Sequence, residues 1–223
     1  MKIYLDIGNS NIKLFVNNKL FLYKVTINKF TELIEKYKSY DWIIIITNRH
    51  KRKFLDLLNR NHINFKNIVS LDLNNVLINK DISINEIGVD ILLASKYLNN
   101  KNGVIIINGT ALISIYVNNS RIESVSIQAG ITKQNNFLNS LLFLKNNYKF
   151  SSNFGTNTKK AIELGNFFNV SGIINYYCEK YNIQYFVLTG NGFSQSDVNN
   201  FLSKKYNIEY VENLVLKMLI KSF

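Results

Sequence analysis

The sequence predicts an α/β protein of two similar halves, each with a mixed sheet that opens in a β-hairpin. Segments typical of strands and of helices alternate along the 223 residues, as they do in α/β folds. Three consecutive strand-like segments begin each half, and a polar turn containing glycine follows the first of them both times. Because no flexible linker separates the halves, we expect residues 1–100 and 101–223 to be two lobes of one fold.

In the first half, short runs rich in β-branched and aromatic residues predict strands, and apolar residues at helical spacing predict helices. The run 42–47 is continuously apolar before its final Thr, so we expect it in the middle of a sheet that is covered on both faces. Strands are predicted at 3–5, 12–16, 20–25, 42–47 and 68–71, and helices at 29–37, 51–59 and 90–98.

The second half repeats this order of elements. A buried strand at 103–111 ends in a Gly-Thr turn, and the segments 112–117 and 121–127 return as two further strands. Helices are predicted at about 133–147, 156–168 and 170–181, followed by a strand at 184–189 and the turn Gly190-Asn191-Gly192. Cys178 is expected to be a packing residue of the last helix.

The net charge of +12 raises the question of nucleic-acid binding. Most lysines are scattered singly among Asn, Ile and Tyr, however, and the only dense basic cluster is the segment 49–53. We interpret that cluster as the solvated start of a helix. The sequence therefore predicts no nucleic-acid partner.

The remaining composition limits location and metal chemistry. No apolar run approaches the ~18 residues that span a bilayer, and the segment after Met1 lacks the features of a signal peptide. We therefore expect a cytoplasmic protein without a membrane partner. The sequence has one Cys and two His residues. These are too few for a disulfide framework, and they make a His/Cys metal centre an unsuitable interpretation.

The turn of the first hairpin is chemically equipped to bind phosphate. Gly8 allows a ligand to approach the backbone, while Asn9, Ser10 and Asn11 add polar side chains. Asp6, at the end of the first strand, is suited to hold a hydrated Mg²⁺ beside such phosphates. The alternative is an ordinary hairpin in which Gly and Asn only satisfy the geometry of the turn.

Short motifs along the chain carry a family resemblance. They are Asp6 to Lys13, Gly88-Val89-Asp90, Gly109-Thr110-Ala111, Gly155-Thr156-Asn157-Thr158 and Thr189-Gly190-Asn191-Gly192. In this order, they resemble the type III pantothenate kinase family, which belongs with acetate and sugar kinases to the superfamily of actin-like ATPases. The resemblance implies a duplicated actin-like (ribonuclease H-like) ATPase fold with one phosphate turn in each lobe.

The resemblance also implies an activity, the ATP-dependent phosphorylation of pantothenate to 4'-phosphopantothenate, which is the first step of coenzyme A biosynthesis. Asp90 then takes the role of general base. The implied cofactors are ATP, Mg²⁺ and a monovalent cation, K⁺ or NH₄⁺, and the family implies a homodimer with helices after residue 155 at the contact. The implied phosphate contacts are Asp6, Gly8, Asn9, Ser10, Asn11, Lys13, Gly109 and Thr110, and the implied pantothenate contacts are Gly88, Val89, Asp90, Ile91 and Thr158.

Simpler interpretations of these residues exist. Asp90 is placed to cap a helix N-terminus, and without the resemblance that interpretation is favoured. Thr110 can simply close a turn, and Thr158 can lie exposed in the first turn of a helix.

Departures from the family pattern leave two hypotheses open. Ile91 stands where the family has an Arg for the substrate carboxylate, and Ile107 stands where it has an Asp tied to the monovalent cation, so that cation site is predicted to be lost. Asn108 is one position away and would point to the other face of the strand. The chain is therefore either a working, divergent pantothenate kinase or a catalytically impaired relative that acts as a nucleotide-binding or regulatory subunit.

Overall fold

The computed structural model describes residues 1–73, 75–201 and 206–223. The chain divides into a first unit, Met1–Tyr97 with Val215–Phe223, and a second unit, Leu98–Leu214. No helix within these described ranges is long and apolar enough to cross a membrane.

The first unit contains a mixed five-stranded sheet with the order β3-β2-β1-β4-β5. Strands β1, β2 and β3 form antiparallel pairs, whereas β4 runs parallel to β1 and β5 runs parallel to β4. The elements of this unit are β1 (Lys2–Ile7), β2 (Asn11–Val16), β3 (Lys19–Lys24), α1 (Ile27–Lys36), β4 (Asp41–Ile46), α2 (Lys51–Arg60), β5 (Phe65–Asn67), β6 (Leu77–Ile78) and α3 (Val89–Ser95).

Alternation along β1 decides which face of this sheet is core. Ile3, Leu5 and Ile7 are completely buried in one hydrophobic cluster, so the side chain of Asp6 points to the opposite face of the sheet. The hairpin predicted from the first residues of the sequence is confirmed, with β1 and β2 paired from Tyr4↔Phe15 to Ile7↔Ile12.

The prediction of a strand at 68–71 was wrong. The strand β5 ends at Asn67, and a 3₁₀ turn follows at Ser70–Leu73. The cause is local, because the Asp72 carboxylate accepts a hydrogen bond from the Val69 N–H at 2.7 Å and the Ser70 hydroxyl donates to the Ile87 carbonyl at 3.1 Å. Side-chain bonds of this kind compete with strand pairing.

The second unit has its own mixed sheet, in which five strands follow the order β11-β10-β7-β8-β9. Strands β7, β8 and β9 are antiparallel neighbours, and β10 runs parallel to both β7 and β11. The elements are β7 (Gly103–Asn108), β8 (Ala111–Asn118), β9 (Arg121–Ala129), α4 (Ile131–Leu141), α5 (Thr158–Tyr181), β10 (Tyr185–Thr189), α6 (Gln195–Val198) and β11 (Asn207–Tyr210).

The two helices predicted at 156–168 and 170–181 are a single helix, α5. Gly165 and Gly172 do not break it, because a glycine costs a helix only about 1 kcal/mol relative to alanine, and the packing of the buried face of α5 outweighs that cost. The helix ends at Asn182, whose φ of 54° is the left-handed conformation of a C-terminal cap. Cys178 is buried in the core of this unit, as predicted.

The predicted second lobe, 101–223, requires a correction at its C-terminal end. The last helix, α7 (Leu214–Ser222), is grouped with the first unit from Val215 onward. The Phe223 carbonyl accepts a hydrogen bond from Lys2 Nζ at 3.0 Å, and its ring lies under Lys66 Nζ at 4.9 Å. These contacts to β1 and β5 explain why the final residues belong with the first sheet.

Candidate functional site

The first phosphate turn predicted from the sequence connects β1 to β2 within the first unit. The Gly8 N–H donates to the Asn11 carbonyl at 3.0 Å and closes the turn, while the Val25 N–H donates to the Ser10 carbonyl at 3.1 Å. A Cβ atom at position 8 would find its nearest heavy atom, the Asn11 oxygen, at 3.6 Å. The fold therefore has room for a larger residue at Gly8.

Asp6 and Lys13 face each other across this hairpin. They are paired in the register of β1 and β2, and Lys13 Nζ lies 3.2 Å from Asp6 Oδ2. The two side chains are only 16% and 10% exposed. An ion pair with so little solvent interacts more strongly than a surface pair, although its burial also costs desolvation energy.

Asp90 belongs to the same unit and joins this pair. It lies at the second position of α3, after the N-cap residue Gly88. A Cβ atom at position 88 would overlap Asp90 Oδ1. Gly88 therefore leaves the space into which the Asp90 carboxylate folds.

Burial raises the pKa of the Asp90 carboxyl above its ordinary value, and the negative charge of Asp6 raises it further. Backbone hydrogen bonds from the N–H groups of Ile91 and Asp90 and the positive charge of Lys13 oppose this rise. Two carboxyl groups and one ammonium group thus interact in the first unit. The prediction that Asp90 is the N-cap residue was wrong, because Gly88 is the N-cap and Asp90 lies in the first turn of α3. Its carboxylate accepts hydrogen bonds from backbone N–H groups of that turn instead.

The residues beside Asp90 have their side chains in the interior. Val89 is 8% exposed and Ile91 is 4% exposed. A ligand near the start of α3 can contact these two residues only through their backbone atoms. The apolar residue at the position of the family Arg is therefore part of the core.

Sequence reasoning missed Asn48, which follows β4 and holds the turn between β1 and β2. Its side chain is buried, with Nδ2 donating to the Gly8 carbonyl at 2.8 Å and Oδ1 accepting from the His50 N–H at 2.8 Å. The next residue contributes as well, since the Arg49 N–H donates to Asn9 Oδ1 at 3.0 Å. The sequence did contain a signal for this contact. Because β1 and β4 are parallel neighbours, the residues that follow them lie at the same edge of the sheet, so a polar residue just after β4 could have been expected near Gly8.

The second unit contains the other predicted turn, between β7 and β8. The Gly109 N–H donates to the Ala111 carbonyl at 2.9 Å, and the Thr110 carbonyl accepts from the Gly130 N–H at 3.0 Å. Thr110 is exposed. A Cβ atom at Gly109 would meet its nearest heavy atom at 3.9 Å, so this turn, like that at Gly8, leaves space beside its glycine.

Asn108, just before this turn, is completely buried and bridges two neighbouring segments. Its Nδ2 donates to the Gly192 carbonyl at 2.9 Å, and its Oδ1 accepts from the Ile131 N–H at 3.2 Å, at the start of α4. Ile107 is half-buried on the other face of the strand. The amide is therefore structural, and sequence reasoning, which judged it only as a displaced cation ligand, missed that role.

The segment Gly155–Thr158 leads into α5. Thr158 is the first residue of the helix and is exposed, while the Asn157 side chain caps the helix by accepting from the Lys160 N–H at 3.0 Å. A Cβ atom at Gly155 would come within 2.8 Å of the Ala161 Cα atom. A larger residue at position 155 would therefore clash with α5, which explains the glycine by packing alone. Thr158, by contrast, is accessible to a ligand.

The cofactors implied by the resemblance differ in how well the chain suits them. No group of three or more His, Cys, Asp or Glu residues suited to a metal occurs within 1–73, 75–201 and 206–223. Mg²⁺ in phosphoryl-transfer sites needs only one or two carboxylates, with water and phosphate as further ligands, and the carboxylate of Asp6 fits that requirement. The hydrocarbon side chain of Ile107 offers no ligand to K⁺ or NH₄⁺.

Comparisons with known proteins found one similar sequence and several similar folds. No protein-family model matches the chain. A type III pantothenate kinase of Mycoplasma mobile is 26% identical in an alignment of 205 positions that covers 78% of this chain and 81% of that protein.

Solved structures of similar fold cover nearly the whole chain. A Campylobacter jejuni protein described as a Baf family transcriptional activator matches with a TM-score of 0.72 and 21% identity, over 98% of this chain and 96% of that one. A Sinorhizobium meliloti protein described as a 2-dehydro-3-deoxygalactonokinase matches with a TM-score of 0.60 and 10% identity, over 100% and 95%. The fold is that of the actin-like ATPases and sugar kinases. In sequence, the chain is similar to a type III pantothenate kinase over most of its length.

Proposed function

We propose that this protein is a phosphotransferase that moves the γ-phosphoryl group of ATP to a hydroxyl group of pantothenate. The observation that carries the proposal is the cluster of Asp90, Asp6 and Lys13, in which burial and a neighbouring carboxylate raise the pKa of Asp90. A carboxylate whose pKa is raised is a better proton acceptor, which is what a general base requires. The pantothenate kinase of Mycoplasma mobile supports the choice of substrate.

In the proposed reaction, the Asp90 carboxylate takes the proton of the substrate hydroxyl. The hydroxyl oxygen forms a bond to the γ-phosphorus as the bond to the oxygen of the β-phosphate breaks, and ADP leaves. Mg²⁺, when bound, neutralises charge on the phosphates. Asp6 would hold that ion through water, and Lys13 balances the charge of Asp6. Because ATP is the donor, we place the reaction in the cytoplasm.

Other residues of the proposal bind rather than react. The turn Gly8–Asn11 and the turn at Gly109 and Thr110 would donate hydrogen bonds to phosphate oxygens. Gly88 in the first unit and Thr158 in the second are each proposed contacts of pantothenate. The open space beside Gly8 and Gly109 supports a ligand role, because neither glycine is needed to avoid a clash within the fold.

The test is a coupled assay of ADP release by the purified protein with MgATP and millimolar pantothenate. Pantothenate-dependent release is expected. Nucleotide binding without any such release would instead favour the alternative of a catalytically impaired relative that acts as a regulatory subunit. The loss of the family Arg at Ile91 makes a high KM for pantothenate the expected form of a working enzyme.

We expect turnover to be independent of K⁺ and NH₄⁺. The reason is that the side chain of Ile107 has no oxygen to replace the hydration of a monovalent cation. The measurement is ADP release at constant ionic strength in Na⁺, K⁺ and NH₄⁺ salts. Activation of several-fold by K⁺ or NH₄⁺ alone would show that a cation site survives elsewhere.

We also propose that the protein is a homodimer that associates through the second unit. Phe137 on α4 is 68% exposed and Phe168 on α5 is 59% exposed, and a hydrogen bond of 3.0 Å between Gln134 and Asn169 joins the two helices beside them. Exposed aromatic groups of this size are typical of protein interfaces. Sedimentation analysis should give a dimer for the natural chain and a monomer for the double variant Phe137→Ser, Phe168→Ser. A natural chain that stays monomeric at micromolar concentration would contradict the proposal.

A further inference from the structure

We infer that Asn48 is a positioning residue for nucleotide binding, whose carboxamide holds the first phosphate turn, Gly8–Asn11, in its binding conformation. The inference rests on the proposed function, since it concerns the same phosphate site. It adds a residue that lies outside every motif on which the family resemblance depends.

The carboxamide of Asn48 uses both of its ends. Nδ2 donates to the Gly8 carbonyl at 2.8 Å, and Oδ1 accepts from the His50 N–H at 2.8 Å, while the residue as a whole is 6% exposed. A planar group with a donor on one side and an acceptor on the other is a property of amides. A carboxylate would keep the bond to His50 but not the bond to Gly8, and an apolar side chain would keep neither.

The hydrogen bond to Gly8 fixes the direction of a peptide plane. In a trans peptide, the carbonyl of one residue and the N–H of the next point in opposite directions. When the Gly8 carbonyl points at Asn48, the Asn9 N–H therefore points away from Asn48. Successive backbone N–H groups directed outward from a tight turn form the concave surface that binds phosphate oxygens.

This plane needs a restraint because it follows a glycine. Glycine populates conformations closed to other residues, so the peptide after Gly8 rotates more easily than most. The neighbouring residue Arg49 adds a second restraint, since its N–H donates to Asn9 Oδ1 at 3.0 Å. Together, these hydrogen bonds fix the turn to the residues that follow β4. The turn is therefore already ordered before a nucleotide binds, which lowers the entropy cost of binding.

Three proteins test the inference: the natural chain, Asn48→Leu, and the control Asn166→Leu. Asn166 lies in α5 of the second unit and is also buried, at 4% exposure. Its Nδ2 donates to the Lys149 carbonyl at 3.2 Å. The readouts are the Kd for MgAMPPNP by calorimetry, and amide hydrogen exchange of residues 8–11 without nucleotide. We expect Asn48→Leu to weaken binding about tenfold or more and to speed that exchange, and Asn166→Leu to change neither.

Equal Kd values for the natural chain and Asn48→Leu would overturn the inference. If Asn48→Leu does not fold, Asn48→Asp replaces it, because that variant retains the acceptor for His50 and loses the donor to Gly8. Its added negative charge would itself repel a nucleotide, so the exchange of residues 8–11 without nucleotide is then the deciding readout, and exchange as slow as in the natural chain would overturn the inference. A natural chain that binds no MgAMPPNP would contradict the proposed function, and the exchange data on the nucleotide-free proteins would still decide whether Asn48 holds the turn.

Discussion

The variant Asp90→Asn is expected to lower kcat by about 10²- to 10⁴-fold, the usual contribution of a general base. An amide cannot accept the proton of the substrate hydroxyl, whereas it has nearly the same shape as the carboxylate. The affinity for MgATP should therefore stay within a few-fold of that of the natural protein. The matched control is Asp56→Asn, which removes an exposed carboxylate of α2 and should leave kcat unchanged.

The raised pKa of Asp90 also fixes the pH dependence of activity and stability. Activity should fall as the pH drops through the raised pKa of the folded protein, because the base becomes protonated. Because the pKa of Asp90 is higher in the folded protein than in the unfolded chain, the folded state binds the proton more tightly. As the pH rises from the pKa of the unfolded chain to that of the folded protein, the proton is lost and the free energy of unfolding falls.

At neutral pH, Asp90→Asn should therefore have a melting temperature equal to or above that of the natural protein. The difference should shrink as the pH is lowered and Asp90 becomes protonated. Thermal unfolding of both proteins across the acidic to neutral range measures this effect. If the variant were markedly less stable at neutral pH, the ionised carboxylate of Asp90 would stabilise the fold. That result would contradict the prediction that its burial is destabilising.

The variant Gly190→Ala should cause a large loss of stability in the second unit. Gly190 has a φ of 103°, and a Cβ atom there would overlap the backbone of Asn108. Non-glycine residues avoid this backbone conformation, and overpacking a tight site adds a further cost. We expect a loss of about 3 kcal/mol in the free energy of unfolding, which corresponds to roughly 10 °C in the melting temperature of a chain of this size.

The control for this substitution is Gly172→Ala. A side chain at Gly172 in α5 would meet no atom within 4 Å, so the same added methyl group should be neutral or slightly stabilising. Thermal unfolding of the two variants separates the position from the substitution. A melting temperature of Gly190→Ala equal to that of the natural chain would refute the tight packing of the Gly190–Gly192 turn around Asn108.

Local features of the chain were predictable because their causes are local. The first hairpin follows from two apolar runs around a polar glycine turn, and its register alone brings Asp6 opposite Lys13. The place of Asp90 at the start of α3 follows from the apolar run after it. The raised pKa of Asp90 was not predictable in the same way, because it depends on packing between segments far apart in the sequence.

The features that sequence reasoning missed depend on such long-range contacts. Asn48 is forty positions from Gly8, to which it donates, and Asn108 is 84 positions from Gly192. The grouping of the last residues with the first sheet depends on the contacts of Phe223 with Lys2 and Lys66. The spacing of apolar residues identifies a strand or a helix. It does not show which distant segment a polar side chain or a terminal helix will contact.

Asp90 is proposed to accept the proton of a pantothenate hydroxyl during phosphoryl transfer from ATP. The most direct test is detection of the phosphorylated product by mass spectrometry after the protein is incubated with MgATP and pantothenate. We expect product from the natural protein and from Asp56→Asn, and at most a trace from Asp90→Asn. Equal amounts of product from the natural protein and Asp90→Asn, or none from the natural protein, would contradict the proposal.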